Sequence, residues 1–124
     1  MRILVTGANG QLGNEMQVLA KENPQHTYYF TDVQELDICN KDAVWAYIAE
    51  KRIELIVNCA AYTAVDKAED DSELAYKLNS EAPKTLACAA QFNGAAMIQV
   101  STDYVFDGTA HIPYTEECLS LIHI

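Results

Sequence analysis

The seven residues Gly7-Ala8-Asn9-Gly10-Gln11-Leu12-Gly13 constrain this chain more than any others. They follow a β-branched run, residues 2–6 (RILVT), and precede residues 11–22, in which Leu12, Met16, Leu19 and Ala20 recur on one helical face. Strand, tight turn and helix in direct succession form the context a glycine-rich loop needs. Glycine permits the turn and lets a pyrophosphate approach the backbone, where its charge meets the free N–H groups that open the helix. The spacing is GxxGxxG, not the commoner GxGxxG, but the mechanism is the same. Gly7, Asn9, Gly10, Gln11, Leu12 and Gly13 are therefore candidate dinucleotide-binding residues.

The remaining chain alternates. Residues 27–31 (TYYFT) read as a second strand closing on Asp32, which follows Gly13 by 19 residues. An acid there accepts hydrogen bonds from the adenosine ribose hydroxyls and repels a 2′-phosphate, which favours NADH over NADPH. No Arg or Lys lies between Thr31 and Asn40 to hold that phosphate instead. Asp37 and Ile38 are placed to flank an adenine, and residues 35–38 offer a very short third strand. Asn40 is a candidate N-cap for a helix over 41–51, with Val44, Trp45 and Ile48 as its buried stripe. Residues 53–61 (IELIVNCAA) are apolar almost throughout, as a parallel strand covered on both faces should be. After an acidic stretch, residues 66–73, a helical pattern reaches residue 92. Ser80 is able to cap a new turn, Pro83 is tolerated only in that first turn, and Asn93-Gly94 ends the helix. Residues 95–101 (AAMIQVS) read as the next buried strand.

This alternation predicts an α/β fold, a doubly wound parallel sheet with Rossmann-like strand order 3-2-1-4-5. Ligand chemistry then belongs at the carboxyl ends of the strands, near Gly7, Asp32, residues 60–63 and residues 101–103.

Composition narrows the function classes. A chain of 124 residues fits one domain, and 50% hydrophobic residues suffice for a core. Eighteen acids against eight bases give a net charge of −10, which opposes a phosphate backbone, so no nucleic acid is expected. Cys39, Cys59, Cys88 and Cys118 form no CxxC pair, which argues against both zinc and a disulfide framework. No signal peptide or membrane span is legible, so the expected compartment is cytoplasmic. His26, His111 and His123 have no neighbours that suggest catalysis or metal. Tyr47 and Lys51 form a YxxxK on one helix face, but on the crossover before the central strand, away from the carboxyl ends. That pair reads as an ordinary surface helix.

Four blocks carry a resemblance: TGANGQLG at the start, IVNCAAYTAVDKAE over 56–69, LNSEAPKTLACAA over 78–90, and STDYVFDG over 101–108. Together they are similar to the extended short-chain dehydrogenase/reductase superfamily, and within it to the dTDP-4-dehydrorhamnose reductase family. The resemblance implies NADPH- or NADH-dependent reduction of the C4 ketone of a dTDP-linked 4-keto-6-deoxy sugar, giving dTDP-L-rhamnose. It places Ala60, Ala61 and Tyr62 beside the coenzyme. It places Thr102 and Asp103 beside the sugar, with the Thr102 hydroxyl hydrogen-bonding the C4 oxygen as a catalytic group. Glu15 matches a helix position that supports a Mg2+-bridged homodimer in some relatives, a role the family alone implies. The family's catalytic YxxxK is expected after STDY. Residues 119–124 (LSLIHI) depart from the family and read as a non-native tail similar to translated adapter sequence. Residues 1–118 then make a partial dinucleotide-binding domain, incomplete at its C-terminal side and expected to be inactive by itself. Two alternatives stand beside this reading: a non-catalytic regulatory subunit like that of methionine adenosyltransferase, and a related nucleotide-sugar epimerase or dehydratase.

Overall fold

Parallel strands need crossovers that return the chain to the same end of the sheet, and helices supply them. The computed structural model, which describes residues 1–60 and 72–101, repeats this unit along the chain. β1 (Arg2–Thr6) leads to α1 (Gln11–Glu22) and β2 (Thr27–Thr31), then α2 (Lys41–Lys51) and β3 (Leu55–Asn58). Then come α3 (Ser72–Tyr76), a π-helical turn (Lys77–Glu81), α4 (Ala82–Phe92) and β4 (Ala96–Gln99). The four strands form one parallel sheet in the order β2-β1-β3-β4.

Alternation along the strands sorts two cores. Leu4 and Ile56 face α2 and α4, where Val44, Ile48, Leu86, Ala89 and Ala90 close a buried cluster. Ile3, Val5 and Val57 face the opposite side, where Met16 of α1 packs. Asn40 caps α2 as expected, its Oδ1 accepting from the Ala43 N–H at 3.2 Å. Pro83 stands in the first turn of α4, and Gly94 at φ +68° follows its end.

Three expectations change. Residues 35–38 form no strand, because Asp32 folds them into a turn: its carbonyl accepts from the N–H groups of Glu35 and Leu36 at 3.0 and 2.9 Å. The observed order is the expected one without that short third strand. Ser80 caps nothing, since α3 runs through the π-helical turn directly into α4. On α1, where the sequence marks an apolar face without fixing its burial, Leu12 is 43% and Leu19 49% exposed. β4 takes the edge position that the expected order gives it among the described strands, but it is not buried as its apolar run implied, and Ile98 is 53% exposed. Among the described residues, no helix is long and apolar enough to cross a membrane.

Candidate dinucleotide site

The glycine loop is built by close approaches that only hydrogen atoms allow. Gly7 has φ +64°, and a Cβ there would lie 2.7 Å from the Ala60 nitrogen and 2.8 Å from the Cys59 carbonyl carbon. The carboxyl end of β3 thus passes directly against the loop. A Cβ on Gly13 would run into the Gly7 carbonyl and approach Ala8 Cα to 2.6 Å, so α1 begins pressed on the same loop. Gly10 differs: its φ is −78°, and a Cβ would meet the Gly7 oxygen at 3.3 Å, a tight contact rather than an overlap. Sequence alone gave the three glycines equal weight, whereas packing ranks Gly7 and Gly13 above Gly10.

Hydrogen bonds fix the loop to β2. The Ala8 N–H donates to the Thr31 carbonyl at 3.0 Å, and the Asn9 N–H donates to Asp32 Oδ2 at 3.1 Å. Gln17 reaches back from α1 to the Ala8 carbonyl at 2.9 Å. Asp32 also accepts from the Val33 N–H through Oδ1 at 2.8 Å. A carboxylate offers about four lone-pair sites, so two accepted bonds leave capacity for a ribose hydroxyl. At the start of α1, Gly10 supplies no side-chain cap and the first turn carries no acid. The partial positive charge of the helix terminus is therefore not neutralised by a side chain, which is the condition for receiving an anion. Asn9, Gly10, Gln11 and Leu12 are exposed at this end, and Gly13 is buried beneath them.

The other expected residues distribute unevenly. Ala60 abuts Gly7 as described and is half-buried. Asp37 shapes the turn into α2, its Oδ1 accepting from the Cys39 N–H at 3.0 Å. Ile38 is buried, with its side chain in the core cluster shared by α2 and α4. Ala61, Tyr62, Thr102 and Asp103 lie outside the described residues. Glu15 is exposed on α1, and among the described residues no group of three or more His, Cys, Asp or Glu could hold a metal ion.

Sequence reasoning missed a polar row directly beneath the site, buried except at its exposed end, Gln99. Thr31, Thr6, Asn58 and Gln99 occupy one register line across all four strands. The Thr6 hydroxyl donates to Asn58 Oδ1, and Asn58 Nδ2 donates to Gln99 Oε1 at 2.7 Å. The Thr31 hydroxyl donates to the Val5 carbonyl at 3.2 Å. Thr6, Thr31 and Asn58 are buried, so each bond offsets a desolvation cost. The available signal was Asn58 itself, a polar interruption in an otherwise apolar strand.

The titratable groups nearby are quiet. Burial pushes the Cys59 thiol up, which keeps it protonated beside Gly7. Tyr47 belongs to the other end of the sheet. Its phenol is raised first by burial, then by Tyr29, Glu35 and Glu50. Lys51 Nζ lies 5.9 Å from the Tyr29 and Tyr47 ring centres, and Arg2 donates to the Tyr29 hydroxyl at 2.9 Å and to the Lys51 carbonyl at 2.7 Å. This YxxxK is a structural cluster, with a phenol moved away from the range a proton donor needs.

Against known proteins, the model of the RmlD substrate binding domain family matches residues 1–119. A dTDP-4-dehydrorhamnose reductase from Aggregatibacter actinomycetemcomitans is 44% identical over 115 residues, which are 93% of this chain and 39% of that protein. Its counterpart from Salmonella typhimurium is 41% identical over 120 residues, 94% of this chain and 40% of that protein. Among solved structures, a dTDP-4-dehydrorhamnose reductase from Clostridium acetobutylicum superposes with a TM-score of 0.89 at 53% identity, covering 94% of this chain and 41% of that one. The enzyme from Bacillus anthracis, solved in complex with NADP, gives 0.79 at 42% identity, covering 86% and 38%. The chain thus spans about two fifths of the length of these relatives. With a family model matched over nearly its whole length and the parallel sheet to go with it, the chain belongs to the family of the RmlD substrate binding domain.

Proposed function

We propose that the chain is the dinucleotide-binding part of an NAD(P)H-dependent reductase acting on the C4 ketone of a dTDP-linked 4-keto-6-deoxy sugar. The observation that carries this reading is the loop at Gly7 and Gly13, packed too closely for any Cβ, beneath a helix start that no side chain caps. Relatives sharing about two fifths of their length with the chain are dTDP-4-dehydrorhamnose reductases, and one was solved with NADP. A bound nicotinamide coenzyme would supply hydride to the sugar ketone. The chain's own residues do the binding work. The N–H groups opening α1 receive the pyrophosphate, and Asp32 accepts from the adenosine ribose while holding the Asn9 N–H. Asp37, Ile38, Ala60, Ala61 and Tyr62 line the adenosine and nicotinamide portions in this reading, and Thr102 and Asp103 meet the sugar. Asp32 disfavours a 2′-phosphate, so NADH is the expected preference, with NADPH accepted less well. The whole protein works in the cytoplasm as a homodimer.

The test is turnover of dTDP-4-dehydrorhamnose by the full-length protein, followed by loss of reduced nicotinamide absorbance with NADH and NADPH in turn. Sugar-dependent oxidation of the coenzyme is expected. A protein that binds NADH yet leaves this sugar unreduced overturns the reductase reading and favours the regulatory-subunit alternative.

A further inference from the structure

A cavity of about 510 Å³ opens between α2, the π-helical turn and α4. Its position separates it from the glycine loop. The loop leads into α1, which packs on the Ile3–Val5–Val57 side of the sheet, whereas α2 and α4 pack on the Leu4–Ile56 side. Its volume falls in the range of small-molecule sites.

The lining is unusual for so acidic a chain. Lys41, Lys77 and Lys84 all border it, three of the eight cations in the sequence, against the single acid Glu81. Lys77 also pairs with Glu73 at 3.4 Å, while Lys41 and Lys84 have no carboxylate partner among the described residues. Ile38 and the Trp45 ring supply apolar wall. The Trp45 indole N–H is buried without an acceptor among the described residues. Lys77 and Glu81 are the first and last residues of the π-helical turn, an irregularity found disproportionately at functional sites. Cations on flexible stems around an apolar wall suit a compact anion joined to a hydrophobic body.

We propose that this cavity binds phosphate monoesters that carry an apolar group, at a site distinct from the glycine loop. Ile38 is the one residue it shares with the reductase reading; its lysines stand on α2, the π-helical turn and α4, on the opposite face of the sheet from α1.

Trp45 is the single tryptophan and stands in the cavity wall, so its fluorescence reports occupancy directly. Phenyl phosphate titrated into the full chain, with NADH already saturating, should change that emission saturably. The midpoint should rise with ionic strength, because charges are screened beyond about 8 Å at 0.15 M salt. Inorganic phosphate, lacking the apolar group, should bind about tenfold more weakly. The double variant Lys41→Glu and Lys84→Glu should lose at least about tenfold in affinity. Lys41 is in the first turn of α2, where an acid favours the helix dipole, and both lysines are exposed, so the variant should fold. Should it not, Lys41→Gln with Lys84→Gln makes the same test. An absent or non-saturable response, unchanged binding by the variants, or release of the bound NADH by phenyl phosphate overturns the proposal. Equal affinity for inorganic phosphate overturns the ligand class.

Discussion

The two ends of the sheet use polar residues in opposite ways. At the amino end, Arg2, Tyr29, Tyr47 and Lys51 turn their polar groups on one another, and Glu54 Oε1 accepts the Arg2 N–H at 3.1 Å. At the carboxyl end, Thr31, Thr6 and Asn58 lie beneath the surface in a polar row that ends on the exposed Gln99, while the backbone above them presents an uncapped helix start. One end satisfies itself; the other holds a rigid floor under groups left to receive a ligand. A motif therefore acts according to the end of the strands it occupies. The glycine loop sits where the parallel sheet gathers ligands, and Tyr47-Lys51 sits where it does not.

Substitutions can break or sharpen that contrast. The largest effect is expected for Gly13→Val, whose side chain must displace the Gly7 carbonyl and Ala8 backbone. It should abolish NADH binding by calorimetry and cost about 3 kcal/mol or more in urea unfolding. If Gly13→Val binds NADH normally, the loop is not the coenzyme site. Next comes Asn58→Leu, which leaves the buried Thr6 hydroxyl without its acceptor. A loss of about 2 kcal/mol in denaturant stability is expected. A neutral result would show that the polar row is not the floor described above. Asp32→Ala should weaken NADH about tenfold with a smaller loss, or none, for NADPH, measured by fluorescence titration. Equal losses for both coenzymes would remove the ribose role and leave Asp32 only its bond to Asn9. The smallest effect belongs to the other end of the sheet. Tyr47→Phe together with Lys51→Met should leave NADH affinity unchanged and cost less than about 1 kcal/mol, since exposed cation–π contacts are weak. A coenzyme-binding defect there would mean that the two ends are coupled.

Much of this was legible in the chain itself. α1, β2 and α2 run over the residues the pattern marks, and the Asn40 cap and the Gly94 stop are where local chemistry puts them. These features depend on neighbours a few residues apart, and such interactions are written consecutively. The short strand at 35–38 was misread because its β-like composition lost to a turn anchored by Asp32. The apolar face of α1 was legible as a face, but periodicity reports which side of a helix is greasy, not whether the sheet reaches far enough to cover it, and Leu12 and Leu19 stay exposed.

The sequence by itself determined the order of elements, the parallel sheet and the loop that could take a dinucleotide, because periodicity, capping and glycine chemistry are local. Only the tertiary structure ranked Gly7 and Gly13 above Gly10, joined Thr6 to Asn58 and Gln99, and brought Arg2 and Tyr29 against Tyr47-Lys51. Those outcomes depend on atoms from distant stretches of chain being brought within a few ångströms, and no spacing along the chain encodes such a distance.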